Sequence, residues 1–387
     1  MDSLLLSAIR MFLIRAFRIL KDAILSTLPL HTRLRLLLLQ PISLITYTIE
    51  WYVSRQFPYT SEIQIPLKRR AGSVRAVVYT PKSSPSLPPR KKRPIHLNIH
   101  GGAFLGGLPE GNARFCSELA EKTGAVVISS SYRYAPRHVF PAAHEDVQDV
   151  ASFLLENAEK IWNADSELFT VSGFSVGGNL ALAVAQSVAG TPHAVKGSVG
   201  FCPVPLFDAY AGPNRRQNMK NPMLHPILAD IQSLPQNMFF IIAGADILLQ
   251  ESQGMVQKLE EEARAINLAM GLPEEPKVPN GRSICVRNIK FEGQLHGWLE
   301  CYANIIKTLL ALSMITKAGM PKHFLTKGLI KALSRALIRS AEVLALRPDL
   351  RPPAVADKRQ RDTRHRDAAE QRAGPGNSQS AKHRFSE

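Results

Sequence analysis

Four cysteines in 387 residues, none in a C-x-x-C pair, give no basis for a disulfide framework or a zinc ribbon. Cys116, Cys202, Cys285 and Cys301 are irregularly spaced and read as buried thiols in a reducing compartment. No Asn-x-Ser/Thr sequon occurs, which fits a domain facing the cytosol. Near the start of the chain the uncharged stretch at 36–49 is interrupted by Pro41 and falls short of the ~20 residues that a spanning helix needs. Acidic residues are scarce beside basic ones, 32 against 48, for a formal net charge of +16. That balance favours anionic partners. The charge gathers at the two ends and in short runs such as Lys68-Arg69-Arg70 and Arg90-Lys91-Lys92-Arg93, which argues against one extended nucleic-acid groove.

Residues 1–55 form a segment of their own. Over 4–25, Arg10, Arg15, Arg18, Lys21 and Asp22 fall with Ser7 within one arc of a helix. Leu5, Ile9, Phe12, Leu13, Ala16 and Leu20 line the other side. A basic amphipathic helix of this kind lies in a membrane interface, its apolar face buried and its cations against anionic headgroups. The arginines interrupt any signal-peptide core, although an Arg-rich, acid-poor start also has the character of a mitochondrial presequence. A second basic amphipathic helix is expected at 321–346, where Lys327, Lys331, Arg335 and Arg339 recur every four residues. Both helices carry apolar faces rather than interleaved stacking aromatics, so a membrane surface suits them better than nucleic acid. Residues 347–387 are too polar to offset their ordering entropy and are expected to be disordered.

Between these ends, residues 56–320 read as one α/β domain. Short apolar runs at 74–79, 95–99, 125–130, 169–172, 197–201 and 238–243 predict strands. Helices are predicted at 112–122, 144–158, 178–189 and 251–269. Strands alternating with helices imply a mostly parallel central sheet with helices on both faces.

The chemistry concentrates in four places. Gly173-Phe174-Ser175-Val176-Gly177 follows an apolar strand and precedes an Ala/Leu-rich helix. A G-x-S-x-G in that context is a nucleophile elbow, a sharp turn that presents Ser175 and needs small neighbours for close approach. Upstream, His100-Gly101-Gly102-Ala103-Phe104 also follows a strand. Gly101, Gly102 and Ala103, with Val176 after the nucleophile, are the candidate backbone N–H donors of an oxyanion hole. Asp246 follows the run at 239–243, at the carboxyl end of a strand where α/β sites gather. His296, in Gln294-Leu295-His296-Gly297-Trp298, completes the chain order Ser…Asp…His. These roles form a triad in which Ser175 attacks, His296 shuttles the proton and Asp246 holds its tautomer. His144, His193 and His225 lie outside such contexts and are expected to be structural or exposed.

Taken together over residues 95–300, the sequence resembles the hormone-sensitive lipase family of α/β-hydrolases. The likeness rests on the His100–Phe104 and Gly173–Asn179 motifs, and on Ser131-Tyr132-Arg133-Tyr134-Ala135-Pro136 followed by Phe140-Pro141-Ala142-Ala143. Asn221-Pro222 through Leu234-Pro235 and the Asp246 and His296 segments extend it. Within the family the chain resembles fungal membrane-associated members that act on steryl acetates. Three features depart from the pattern. Ala103 replaces a glycine and narrows the permitted backbone angles; the stretch from Ser175 to Pro235 is short; and the stretch from Asp246 to His296 is long, with a polar insertion at 273–281 that reads as a surface loop.

The resemblance implies an α/β-hydrolase fold with a helical N-terminal extension, and a serine carboxylic-ester hydrolase needing neither metal nor cofactor. Its expected partners are a lipophilic, sterol- or terpenoid-like short-acyl ester and a membrane surface, with no nucleic acid. The expected location is an intracellular membrane, that of the endoplasmic reticulum. A hydrolase of a fungal secondary-metabolite pathway would use the same residues, and amide cleavage is compatible with the same acyl chemistry. A non-catalytic small-molecule-binding homologue would have no use for an intact triad.

Overall fold

The computed structural model describes residues 54–297 except 83–91, 204–207, 212–214, 275, 277–281 and 295, together with isolated positions between 13 and 51. All of them belong to one compact unit, Met1–Ser340. The helix expected at 321–346 and the tail at 347–387 lie outside the described residues, as does most of 1–53. Among the described residues no helix is long and apolar enough to cross a membrane.

Eight strands form one sheet: β1 (Ser61–Pro66), β2 (Ser73–Tyr79), β3 (Arg93–Ile99), β4 (Val126–Ser130), β5 (Ala164–Phe174), β6 (Gly197–Phe201), β7 (Asn237–Ala243) and β8 (Cys285–Phe291). Their order is β1-β2-β4-β3-β5-β6-β7-β8. The β1–β2 and β2–β4 pairs are antiparallel and the remaining five are parallel. Four main helices connect the strands: α1 (Ala113–Thr123), α2 (Ala142–Trp162), α3 (Val176–Val188) and α4 (Leu249–Ala269). Two single-turn helices, Asp208–Ala211 and Arg215–Asn218, sit in the excursion between β6 and β7.

Period-two burial explains how the layers assemble. In β7 every residue is buried. Phe239, Ile241 and Ala243 join the cluster of Phe115, Cys116 and Leu119 from α1, whereas Met238, Phe240 and Ile242 pack with Met255, Val256 and Leu259 from α4. Ile95, Leu97 and Ile99 of β3 face Val147, Val150 and Leu154 of α2 and Leu180 and Val184 of α3. Thus α2, α3 and α4 cover one face and α1 the other, as a doubly covered parallel sheet requires. Two helix ends carry the left-handed residue that stops them: Gly124 after α1, φ 72°, and Asn163 after α2, φ 49°.

On the α1 face, β3 carries His96 and Asn98 instead of apolar residues. His96 Nδ1 lies 2.8 Å from Thr170 Oγ1 and its Nε2 2.8 Å from Ser172 Oγ. Ser172 donates to Asn98 Oδ1, and Asn98 Nδ2 donates to Ser129 Oγ at 2.9 Å. Every ring nitrogen of this buried histidine is paired, which lowers the penalty of placing it there. Burial pushes its pKa down to about 3, so the ring is neutral at physiological pH.

The strand order fixes where function can sit. From β3 the chain passes outward to β4, then returns past β3 to β5, with α1 and α2 on opposite faces. The crevice at the carboxyl ends of β3 and β5 is therefore the point where chain order reverses, the place where open α/β sheets bind ligands.

Candidate active site

Ser175 stands between Phe174, the last residue of β5, and Val176, the first of α3. Its backbone has φ 53° and ψ −121°, a combination that costs a non-glycine residue roughly 1–3 kcal/mol. Surrounding contacts hold it there. The Ser175 N–H donates to Phe201 O at 2.7 Å, and Ser175 O accepts from Gly178 N at 2.9 Å. A Cβ on Gly173 would lie 2.0 Å from the Gly177 carbonyl, and one on Gly177 would lie 2.1 Å from Ile99 O. The small neighbours that the motif demands are thus explained by two backbone-on-backbone contacts.

Ser175 Oγ lies 2.8 Å from His296 Nε2, and His296 Nδ1 lies 2.8 Å from Asp246 Oδ2. The second oxygen of Asp246, Oδ1, accepts from Leu248 N at 2.9 Å. A carboxylate can only accept, so the imidazole proton sits on Nδ1 and the bare Nε2 faces the serine hydroxyl. The Asp246 side chain is 1% exposed and that of His296 27%. The aspartate is therefore sealed inside, while the histidine borders solvent. Backbone bonds tie the two loops together: Gly244 N donates to Phe291 O at 2.8 Å and Ala245 N to Gln294 O at 2.9 Å. Residues separated by 121 and 50 positions in sequence are thus brought into one hydrogen-bonded line.

The turn after β3 is equally constrained. Gly102 has φ 107°, and a Cβ there would lie 2.0 Å from Gly106 O. Ala103 and Phe104 both take positive φ, 56° and 60°, so the alanine narrows the conformational choice without preventing the turn. Val176 is fully buried at the start of α3. The Ser131–Pro136 motif holds this turn from below. Tyr132 Oη donates to His100 O and Gly101 O at 3.2 and 3.1 Å. Tyr134 Oη lies 3.2 Å from His100 Nε2 and also donates to Gly107 O. Arg133 is clamped to Asp146 of α2 through its backbone N and its Nε, each at 2.8 Å.

Of the other histidines, His144 is buried and hydrogen-bonded through both ring nitrogens, a structural position as the sequence reading expects. Sequence reasoning did not single out Cys202. It follows β6 with φ 46°, and its Sγ, an Asp246 oxygen and a His296 nitrogen lie within 4.8 Å of one another. Among the described residues this is the one grouping of three potential metal ligands, and two of them are already engaged with each other. Its signal was spatial rather than sequential. Cys116, Cys202 and Cys285 are all buried and outside any disulfide.

Comparison with known proteins agrees with this geometry. Residues 96–217 match the Abhydrolase_3 family, described as having the alpha/beta hydrolase fold. The chain is 25% identical over 254 residues to ethyl acetate hydrolase of Pseudomonas putida, covering 56% of this chain and 79% of that one. It is 33% identical over 153 residues to arylacetamide deacetylase of Oryctolagus cuniculus, where the match covers 38% of this chain and spans 37% of the relative's length. Among solved structures, a Pyrobaculum calidifontis esterase superposes with a TM-score of 0.56 at 27% identity, covering 72% of this chain and 91% of the other. The sheet order, the strained serine turn and the match over 96–217 together show that the chain has the α/β-hydrolase fold.

Proposed function

We propose that the chain is a serine carboxylesterase acting through Ser175, His296 and Asp246. One observation carries the reading: a serine in a strained turn, its hydroxyl 2.8 Å from an imidazole whose other nitrogen lies 2.8 Å from a buried carboxylate. In the acylation step Ser175 Oγ attacks the ester carbonyl while its proton passes to His296 Nε2. The carbonyl oxygen becomes negative, and the N–H groups of Gly102, Ala103 and Val176, with Gly101 shaping the turn, are the donors proposed to receive it. His296 then gives the proton to the departing alkoxide, which leaves as alcohol and an acyl-Ser175 remains. Water repeats the sequence, losing its proton to His296 as it attacks, and releases the carboxylic acid and the free serine. Asp246 stays ionised throughout and stabilises the imidazolium.

The finer part of the proposal is a lipophilic substrate with a short acyl group, a sterol- or terpenoid-like ester met at the endoplasmic reticulum membrane. Two of the relatives are named for acetyl compounds, ethyl acetate and arylacetamides. Leu13, Phe17, Leu25, Leu30 and Leu34 are exposed large apolar side chains before the catalytic domain, available to a membrane interface. Ile247, the residue after Asp246, is 87% exposed and places apolar surface directly beside the triad. A p-nitrophenyl ester series from acetate to palmitate, run with and without anionic vesicles, tests this. Highest kcat/KM on acetate or butyrate, with vesicle binding reversed by detergent, supports the proposal. A preference for long acyl chains, or release from vesicles by salt alone, overturns its finer part. No turnover of any ester overturns it entirely.

A further inference from the structure

Beneath the turn that follows β3 lies an aromatic and hydrogen-bonded hub that the reaction described above does not use. Phe104, with φ 60°, immediately follows Ala103. Its ring stacks on that of Tyr210, centroids 3.9 Å apart and planes within 12°. Tyr210 is fully buried although it belongs to the excursion between β6 and β7. Its backbone O accepts from Phe140 N at 2.8 Å. Its hydroxyl accepts from Ala143 N at 3.0 Å and lies 2.9 Å from His144 Nδ1.

The proton order of this hub is determined. His144 Nε2 faces Met223 O at 2.9 Å and Asn179 Oδ1 at 3.1 Å, and Asn179 uses its amide nitrogen to donate to Leu224 O at 2.9 Å. Both partners of Nε2 are therefore acceptors, so the ring proton is on Nε2. Nδ1 is then bare and accepts from the Tyr210 hydroxyl. Burial lowers the His144 pKa to about 4, which keeps this neutral arrangement intact at physiological pH. Asn179 sits four positions after Ser175 on the first turn of α3. The hub thus joins the nucleophile's helix, the first turn of α2, the β6–β7 excursion and the residue following the proposed oxyanion donors.

We infer that Tyr210 is a positioning residue for the oxyanion-binding turn: its ring holds Phe104, and through it Ala103, in left-handed backbone geometry, and His144 and Asn179 register that geometry to Ser175. Neither Ala103 nor Phe104 takes positive φ without steric opposition, so an external contact must fix both. Stacking of rings 3.9 Å apart is such a contact, and it leaves Phe104 no room to relax downward. Tyr210 acts on the transition state alone, because donors displaced by a fraction of an ångström lose most of their effect on the developing oxyanion while substrate binding is little changed. This inference rests on the esterase reading.

The test compares Tyr210→Phe, which keeps the stack and loses the hydroxyl, with Tyr210→Leu, which loses both. Phe104→Leu removes the stack from the other side. Each variant is normalised by active-site titration with a fluorophosphonate, so that only folded, reactive protein is counted. On p-nitrophenyl acetate, Tyr210→Leu and Phe104→Leu are expected to lose about 10- to 100-fold in kcat, with KM within about twofold of wild type. Tyr210→Phe should lose less than either. A trifluoromethyl ketone, which forms a tetrahedral adduct on the serine, should weaken in proportion to kcat/KM. Titrated Tyr210→Leu and Phe104→Leu with wild-type kcat, or a kcat loss with unchanged ketone affinity, overturns the inference. Should the leucine variants not fold, Phe104→Met, whose flexible side chain fills the space without a ring to stack, decides: a kcat loss matched by weaker ketone binding supports the inference, and unchanged values overturn it. Wild-type protein that turns over no ester defeats the esterase reading instead, so the two failures are distinct.

Discussion

Replacing Asp246 by Asn is the perturbation whose consequence the structure specifies best. Asp246 Oδ1 accepts from Leu248 N and Oδ2 faces His296 Nδ1, and the side chain is sealed from solvent. An asparagine that keeps its oxygen toward Leu248 must present its NH2 to Nδ1. The imidazole proton then moves to Nε2, which donates to Ser175 and can no longer accept its proton. The alternative, with oxygen toward the histidine, points the NH2 at the Leu248 N–H and leaves buried donors facing each other, at a cost of about 1–3 kcal/mol. That form is a minority by about 5- to 150-fold, and its turnover is lower again because a neutral amide no longer stabilises the imidazolium. Wrong-tautomer forms of such triads lose about 10⁴-fold, so the expected loss in kcat lies above about 100-fold and toward 10⁴, or roughly 3–5.5 kcal/mol of barrier. Steady-state kinetics on p-nitrophenyl acetate measure it, with a thermal melt confirming an intact fold. An Asp246→Asn enzyme within tenfold of wild type would refute the claim that Asp246 sets the tautomer of His296.

Other consequences follow from local geometry. Gly177→Ala drives a methyl to 2.1 Å from Ile99 O, backbone against backbone, and is expected to abolish activity and lower the melting temperature; an active, stable variant would contradict the packing of the elbow on β3. Gly254, exposed inside α4 with nothing within 4 Å of where a Cβ would sit, behaves oppositely: Gly254→Ala should stabilise by about 0.5–1 kcal/mol, seen as a small rise in melting temperature, and a fall would contradict it. Burial depresses the pKa of His96 to about 3 and of His144 to about 4, against ~6.5 in an unfolded chain. Below pH ~6.5 the unfolded state takes up protons that the folded state refuses. Stability should therefore fall as pH drops from about 6.5 toward 4, by up to about 1.4 kcal/mol per pH unit for each histidine. Urea midpoints at pH 7, 5.5 and 4.5 measure this, and a flat profile would show that these rings are not buried neutral.

The central strands and their helices were legible because buried parallel strands are short apolar runs and the helices carry an apolar stripe. The predicted helix at 144–158 is longer at both ends, Ala142–Trp162, and the strand at 169–172 begins as early as Ala164. Two strands escaped notice. β1 buries only Ile65 fully, and β8, at the far edge, carries Arg287, Asn288 and Lys290, so neither shows the apolar run of a central strand. Ser175, Asp246 and His296, which the structure brings into one hydrogen-bonded line, stand in short contexts that the proposed chemistry makes recognisable. Tyr210 and Cys202 could not, since nothing in their local sequence announces that the chain returns them to the triad's surroundings. The reading of His144 as structural holds, and its contacts add what periodicity could not, a defined link between the serine helix and the turn after β3.

The most direct measurement is the site of covalent capture. A fluorophosphonate incubated with the full chain and followed by peptide mass spectrometry should give one adduct per chain, on the peptide containing Ser175, and none in Ser175→Ala. An adduct on another residue, or label that persists in Ser175→Ala, would contradict the account.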